Sequence, residues 1–191
     1  METPFIKRPN KIPLFFKLAL WISKKETGKD LLTARMMTWY PRAALGAGVL
    51  ELMTAKGKTS QEKRMLNLVR LQASLITSCR FCIDMNSASI EKNGITVDEF
   101  SALRDNLDYR SIMTFSVRES LAIEYATRMS NTPLVFEEDF IDRLKSHFSE
   151  KEIVMLASSI ASVNYWARFN QALGIPSARF SDKCTVKNQS L

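Results

Sequence analysis

The sequence predicts an all-α protein, and three observations carry that expectation. A hydroxyl residue followed three places later by glutamate opens an apolar-periodic run at four points: Thr59–Glu62, Thr96–Glu99, Ser116–Glu119 and Ser149–Glu152. In that pattern the hydroxyl and the carboxylate satisfy free helix-end amides reciprocally. Alternating strand patterns of useful length are absent. Six glycines and six prolines among 191 residues are too few for a turn-rich β-sandwich. The 46% hydrophobic and 25% charged content excludes wholesale disorder. A single domain of this length buries a sizeable core without disulfide staples. Three unevenly spaced cysteines do not make a secreted disulfide scaffold, so a cytoplasmic protein is expected.

Taken in order, residues 12–22 (IPLFFKLALWI) are apolar except at Lys17 and are flanked by lysines and an arginine, which predicts a helix over 12–24. Eleven residues cannot cross a membrane, which takes about 20 in a helix. Ser23-Lys24-Lys25-Glu26 offers no small-residue cleavage site for a signal peptide. The segment then either packs on the domain or another subunit, or lies among anionic headgroups. In the second case residues 7–25 make a weak membrane-surface contact, with about 1 kcal/mol from each lysine.

Helices follow at 31–39, 42–56, 60–77, 79–93, 97–107, 117–130, 137–148 and 150–173, with Gly57, Gly94 and Gly174 as stop signals. In the last of these Ile153, Leu156, Ala157, Ile160, Ala161 and Asn164 recur at spacings of three and four, predicting one apolar stripe. About eight helices joined by short connections favour a compact antiparallel bundle. The organisation is thus an N-terminal arm over 1–28, one all-α domain over 29–176 and a polar, loose tail over 177–191.

The net charge of +7 is unevenly placed: residues 1–64 carry thirteen Lys/Arg against five Asp/Glu, whereas residues 65–191 are close to neutral. Neither zinc-finger spacing nor an RNP-type aromatic motif accompanies the basic excess, so no nucleic-acid partner is expected. An acidic partner or surface fits better.

Cys79-Arg80-Phe81-Cys82 is the most informative quartet. Residues i and i+3 on a helix stand about 60° apart around the axis and about 4.5 Å apart along it, within the range a disulfide tolerates. Thr77 or Ser78 can cap a helix starting there, leaving Cys79 in the first turn, where free amides favour a thiolate. One thiolate beside a second thiol suffices for thiol–disulfide exchange. Zinc would need two further ligands, and Cys184 and His147 are the remaining candidates; two inert buried cysteines are the other alternative. No cofactor and no metal are expected.

The run Asn67-Leu68-Val69-Arg70-Leu71, the segment from Ser78 to Ala88 around the cysteine pair, Gly94-Ile95, and the stretch Asn164–Ile175 together resemble the carboxymuconolactone decarboxylase family in its AhpD-like (alkylhydroperoxidase) branch. The resemblance covers residues 40–176. It implies an antiparallel all-α fold that assembles as a homo-oligomer (dimer, trimer or hexamer). It implies a redox-active disulfide in an antioxidant role, with a peroxide or small organic substrate and a thiol reductant as partners. Peroxidase-active members of the family carry a Glu twelve residues before the first cysteine and a His four residues after the second; here those positions are Asn67 and Asn86.

Residue 86 stands one turn beyond Cys82 on the same face, within reach of its sulfur. An amide can orient a water there but cannot titrate near neutral pH. General acid–base help is worth roughly 10²- to 10⁴-fold, so weakened peroxidase activity is expected. The catalytic set is therefore Cys79, Cys82, Asn86 and Asn67. The resemblance makes Cys82 the peroxide-facing sulfur, the helix terminus makes Cys79 the more acidic, and both assignments stay open. Asp84 is rotated about 200° from Cys82 and is expected to be structural. His147 reads as a helix-end residue and Cys184 as a free tail thiol. Asn164, Trp166, Arg168 and Asn170 either line a pocket facing the cysteine helix or pack in a core or interface. A non-redox binding or assembly protein on the same scaffold is the alternative function, and lactone decarboxylation a third.

Overall fold

The computed structural model describes residues 3–105, 107 and 114–181. Among them nine α-helices run in the order α1 Leu14–Thr27, α2 Leu32–Met37, α3 Pro41–Met53, α4 Ser60–Ile76, α5 Arg80–Ser87, α6 Val97–Arg104, α7 Val117–Ser130, α8 Glu138–His147 and α9 Glu150–Ala172. The described residues contain no strand, as the sequence predicts. No helix among them is long and apolar enough to cross a membrane.

α4, α7 and α9 pack on one another at the centre, α5 lies against α4 and α9, and α8 rests on α9. All residues from Leu66 to Val69 and from Leu71 to Ser74 on α4 are buried, because the helix has packed neighbours on two sides. On one side Val69 and Ala73 meet Ala122 and Ala126 of α7 and Ile160 and Ala167 of α9. The alanines bring these axes close, which suits dense packing. On the other side Leu68 and Leu71 meet Ile83, Ile90, Ile95 and Phe100. Phe140 of α8 is fully buried and stacks on Phe136 at 5.8 Å.

All four hydroxyl–glutamate pairs form capping boxes, on α4, α6, α7 and α9. Arg64 ties three of these helices together. It donates to Glu99 of α6 at 2.7 Å and to Glu119 of α7 at 2.6 Å. Burial alone would raise the Glu99 pKa, but hydrogen bonds from Arg64, the Thr96 amide and Thr114 outweigh it and hold the carboxyl below its usual 4.5.

Three sequence expectations need correction. The helix expected over 79–93 ends at Ser87, and the chain resumes as a 3₁₀ turn, Glu91–Asn93, so that Ile90 and Ile95 can both point inward. Gly94 then takes φ 74° while the Ile95 amide bonds the Ile90 carbonyl at 2.8 Å, a Schellman closure. The helix expected over 42–56 stops at Met53, and Gly57 serves close approach instead of a cap: a Cβ there would stand 2.5 Å from the Lys63 amide nitrogen. On α9 the buried stripe is Leu156, Ile160, Val163, Ala167 and Asn170, whereas Ala161 faces outward.

The arm is fixed at two points. The Phe5 amide donates to the Leu173 carbonyl at 2.9 Å, and its ring covers Gly174 so closely that a Cβ there would lie 2.7 Å from it. Trp39 Nε1 donates to the Lys7 carbonyl at 2.9 Å. Beyond these points α1 buries Phe16, while Leu14, Phe15, Leu18 and Trp21 stay exposed.

Candidate functional site

The chain leaves α4 through Thr77, whose hydroxyl returns to the Ala73 carbonyl at 2.7 Å. Ser78 then takes φ 52°, a left-handed conformation that a non-glycine residue adopts only at a cost of about 1–2 kcal/mol. That single residue turns the chain so that α5 starts at once. The cap of α5 is Cys79 itself, not Thr77 or Ser78 as the sequence suggested: its Sγ accepts from the Cys82 amide at 3.2 Å. Cys79 and Cys82 are joined as a disulfide with their Cα atoms 5.2 Å apart. Both are nearly covered, at 1% and 4% exposure, within the cluster formed by α4, α7 and α9. The expected pairing across one helical turn is present, and the sulfurs are far less open to solvent than a surface redox pair.

Behind the pair, Asp84 is fully buried and accepts from Ser177 Oγ at 2.8 Å and the Ser181 amide at 2.9 Å. Its side chain faces away from the sulfurs, as the 200° rotation anticipates, and fastens residues 177–181 along α5. Lys29 adds a bond to the Ala178 carbonyl at 2.7 Å. The tail expected to be loose from residue 177 is therefore held over its first five residues. Cys184 falls outside the described residues.

Asn67 and Asn86 do come together. Asn67 Nδ2 donates to the Asn86 carbonyl at 3.0 Å, and Asn86 Nδ2 donates to Ser74 Oγ at 3.0 Å. The Asn86 amide thus turns to α4 and not to the Cys82 sulfur one turn below it. Asn93 Nδ2 completes the chain by donating to Asn67 Oδ1 at 2.8 Å. These amides form one wall of a cleft of 210 Å³, whose other walls include Lys56, Lys63, Leu66 and Arg70. Gly57 lets the Lys56 loop lie on the first turn of α4, which brings the two lysines to the same rim.

The remaining candidates lie elsewhere. His147 ends α8, with Nδ1 2.9 Å from the Arg143 carbonyl. On α9 Asn164 donates to Ser130 at 3.1 Å, Trp166 to Glu51 at 3.2 Å, and Asn170 accepts from Thr33 at 2.7 Å. These are packing and interhelical bonds, and Arg168 is exposed. Sequence reasoning missed Asn93, Lys56, Lys63 and Arg70 as neighbours of the amide pair. Arg70 carried one local signal, since it follows Asn67 by one helical turn; the others reach the cleft through tertiary contacts.

No family model matches the chain. Its architecture closely overlays that of a peroxidase-related protein from Silicibacter sp. TM1040, with a TM-score of 0.79, 16% identity, and 96% and 97% of the two chains covered. An alkylhydroperoxidase AhpD core protein from Ralstonia eutropha JMP134 gives a TM-score of 0.75 at 14% identity, covering 93% and 94%. The fold is therefore the all-α fold of these AhpD-like, peroxidase-related proteins. In sequence the chain is 28% identical to the uncharacterized protein YnjA of Escherichia coli K12 across 87% of its own length and 90% of the relative's.

Proposed function

We propose that the protein is a thiol–disulfide oxidoreductase whose Cys79–Cys82 pair carries two electrons from a thiol reductant to a hydroperoxide. In the reaction the Cys82 thiolate attacks the hydroperoxide, the O–O bond breaks, and Cys82 sulfenic acid and an alcohol result. The Cys79 thiolate then attacks the Cys82 sulfur, releasing water and forming the disulfide. Two reductant thiols restore the dithiol and leave as their own disulfide. The observation that carries this reading is the joined pair at the start of α5, where the Cys82 amide meets Cys79 Sγ at 3.2 Å. The same amide favours a Cys79 thiolate in the reduced form. AhpD-like neighbours support the peroxide as oxidant. Asn67 and Asn86 hold no titratable proton, so peroxide reduction is slow, by roughly 10²- to 10⁴-fold against a site with a proton relay.

Mass-shift alkylation across a series of glutathione poises tests this. A pair that passes from two labelled thiols to none within the series is the expected result. A pair that stays oxidised or stays reduced throughout overturns it and leaves a non-redox binding protein. Sulfenic-acid trapping in Cys79→Ser should mark Cys82, and trapping on Cys79 in Cys82→Ser would reverse the two roles.

We also infer self-association through α3. Its sequence is apolar on nearly all sides, a property of helices that are buried in their working state. Yet Leu45, Val49, Leu52 and Met53 are exposed, Leu52 at 81%. With one exposed cation, Arg42, and one exposed acid, Glu51, α3 has no basic polar face for an anionic lipid surface, whereas a second copy supplies a matching apolar face. Sedimentation should show an oligomer that Leu52→Glu dissociates; a wild-type monomer at tens of micromolar would overturn the inference.

A further inference from the structure

The cleft beside the cysteine helix is lined asymmetrically: it presents hydrogen-bond donors and positive charge, and no carboxylate lines it. Lys56, Lys63 and Arg70 stand on it, and none of the three forms a salt bridge among the described residues. Arg70 is the most constrained. One terminal nitrogen bonds the Ala55 carbonyl and reaches Ser159 Oγ at 3.4 Å, which leaves much of the guanidinium fork free. Burial lowers its pKa, and the charge of Glu51 offsets this only in part. A desolvated cation without an ion-pair partner is costly, and an incoming anion removes that cost.

The amide chain has the same polarity. Asn93 donates to Asn67, Asn67 donates to the Asn86 carbonyl, and Asn86 donates to Ser74. Each side-chain amide carries two N–H groups and spends one on that chain, so a second remains on each. The Asn67 oxygen is already occupied by Asn93. Beside the Asn86 and Asn93 oxygens and the Ser89 hydroxyl, the cleft thus offers a ligand three cationic heads and amide hydrogens, a donor set that matches a carboxylate. Leu66 supplies an apolar wall and belongs to the same packed cluster as Cys79 and Cys82. A volume of 210 Å³ corresponds to about seven waters, room for a small organic acid.

We propose that this cleft binds small organic carboxylates, with the carboxylate on Arg70, Lys63 and Lys56 and the apolar body on Leu66 toward the cysteine helix. The proposal rests on the redox reading only in making the bound carboxylate the hydroperoxide substrate. Neither cysteine lines the cleft, so the anchored acid reaches Cys82 past Leu66: the carboxylate end stays on the cations, the hydroperoxide end reacts at Cys82, and the products are the hydroxy acid, water and the disulfide.

The test uses two hydroperoxides of similar size, cumene hydroperoxide and its para-carboxylate, on the fully reduced full-length protein. The carboxylate should oxidise the pair at least about tenfold faster at low salt, and the ratio should shrink as salt screens the exposed lysines. In Lys63→Gln and in Arg70→Gln the ratio should fall toward one, and reading a ratio cancels any general loss of rate. Lys63 is exposed, so its variant folds even if Arg70→Gln does not. A second arm needs no redox chemistry: 4-isopropylbenzoate is titrated while the side-chain amide resonances of Asn67, Asn86 and Asn93 are followed by NMR. Saturable shifts that disappear in Lys63→Gln support the cleft even where neither peroxide oxidises the pair, an outcome that sinks the redox reading alone. Equal oxidation rates without saturable shifts overturn the carboxylate site and leave the redox reading standing.

Discussion

The segment from α4 to α9 and the segment from α1 to α3 solve the problem of helix ends in opposite ways. In the first, four helices carry capping boxes and a cysteine sulfur caps a fifth. In the second, none of the three helices has a side-chain cap; α2 buries Met36 and Met37, while most large apolar residues of α1 and α3 face outward. The basic excess follows the same division, since residues 1–64 hold thirteen of the 27 cations against five acids. Helical stability in a folded protein comes mainly from packing an apolar face. The body satisfies that condition by itself, whereas the first three helices satisfy it only through Phe16, Met36, Met37 and Ala47 and leave the rest of their large apolar side chains for a partner. The cysteine pair and most of the cleft sit on the self-sufficient part.

The sharpest way to break that contrast is to remove a large side chain from each region. Phe140→Ala empties a fully buried site where the ring also carries the Arg128 guanidinium at 4.5 Å, and should cost about 3–5 kcal/mol in urea unfolding. Leu52→Ala in dilute protein should change stability by less than about 0.5 kcal/mol. A loss of several kcal/mol at Leu52 would mean that α3 already lies in the cooperative core.

A somewhat smaller effect is expected at the tie between α4, α6 and α7. Arg64→Met leaves the buried Glu99 and the half-buried Glu119 without their shared cation and should cost about 3 kcal/mol. Its pH dependence has a definite sign. The Glu99 carboxyl is held below its ordinary 4.5 in the folded protein, so its contribution is full above that value and is lost as pH falls through the folded one. Glu152, lowered first by the Ser149 amide bond, acts in the same direction. Without Arg64 the burial of Glu99 has less to oppose it, and acid unfolding should begin at a higher pH. An acid limb that does not move would show that Arg64 is not what holds the carboxyl down.

These two tests also separate what could be read from the sequence from what could not. The capping boxes were legible because each depends on residues three apart, and the cysteine pair was legible for the same reason. The break after Ser87 was not, because it is imposed by two isoleucines that must reach the same cluster from α4's far side. The expected α9 stripe shares Leu156 and Ile160 with the observed one but is rotated by about a fifth of a turn, since Ala161 fits an apolar period but Val163 and Ala167 meet the actual neighbours. In the site, Asn67 bonds the Asn86 carbonyl, but the Asn86 side chain turns to Ser74 and not to the Cys82 sulfur that helical spacing put within its reach. The cations around them were not foreseen, because Lys56 arrives only through the close approach at Gly57.

The smallest effect should come from the helix ends themselves. Ser149→Ala removes the hydroxyl that accepts from the Glu152 amide at 3.4 Å and should cost about 1 kcal/mol of global stability. The converse change is Tyr40→Asp, which places an acceptor before Pro41 at an exposed and uncapped start of α3. If α3 is weakly coupled to the body, this new cap should slow amide exchange within α3 while leaving the urea midpoint within experimental error. A midpoint that rises as far as Ser149→Ala lowers it would make α3 part of one cooperative unit with the body. Exposure of Leu52 and Met53 would then be a local feature of a well-anchored helix, and the argument for a second copy on that face would lose its physical basis.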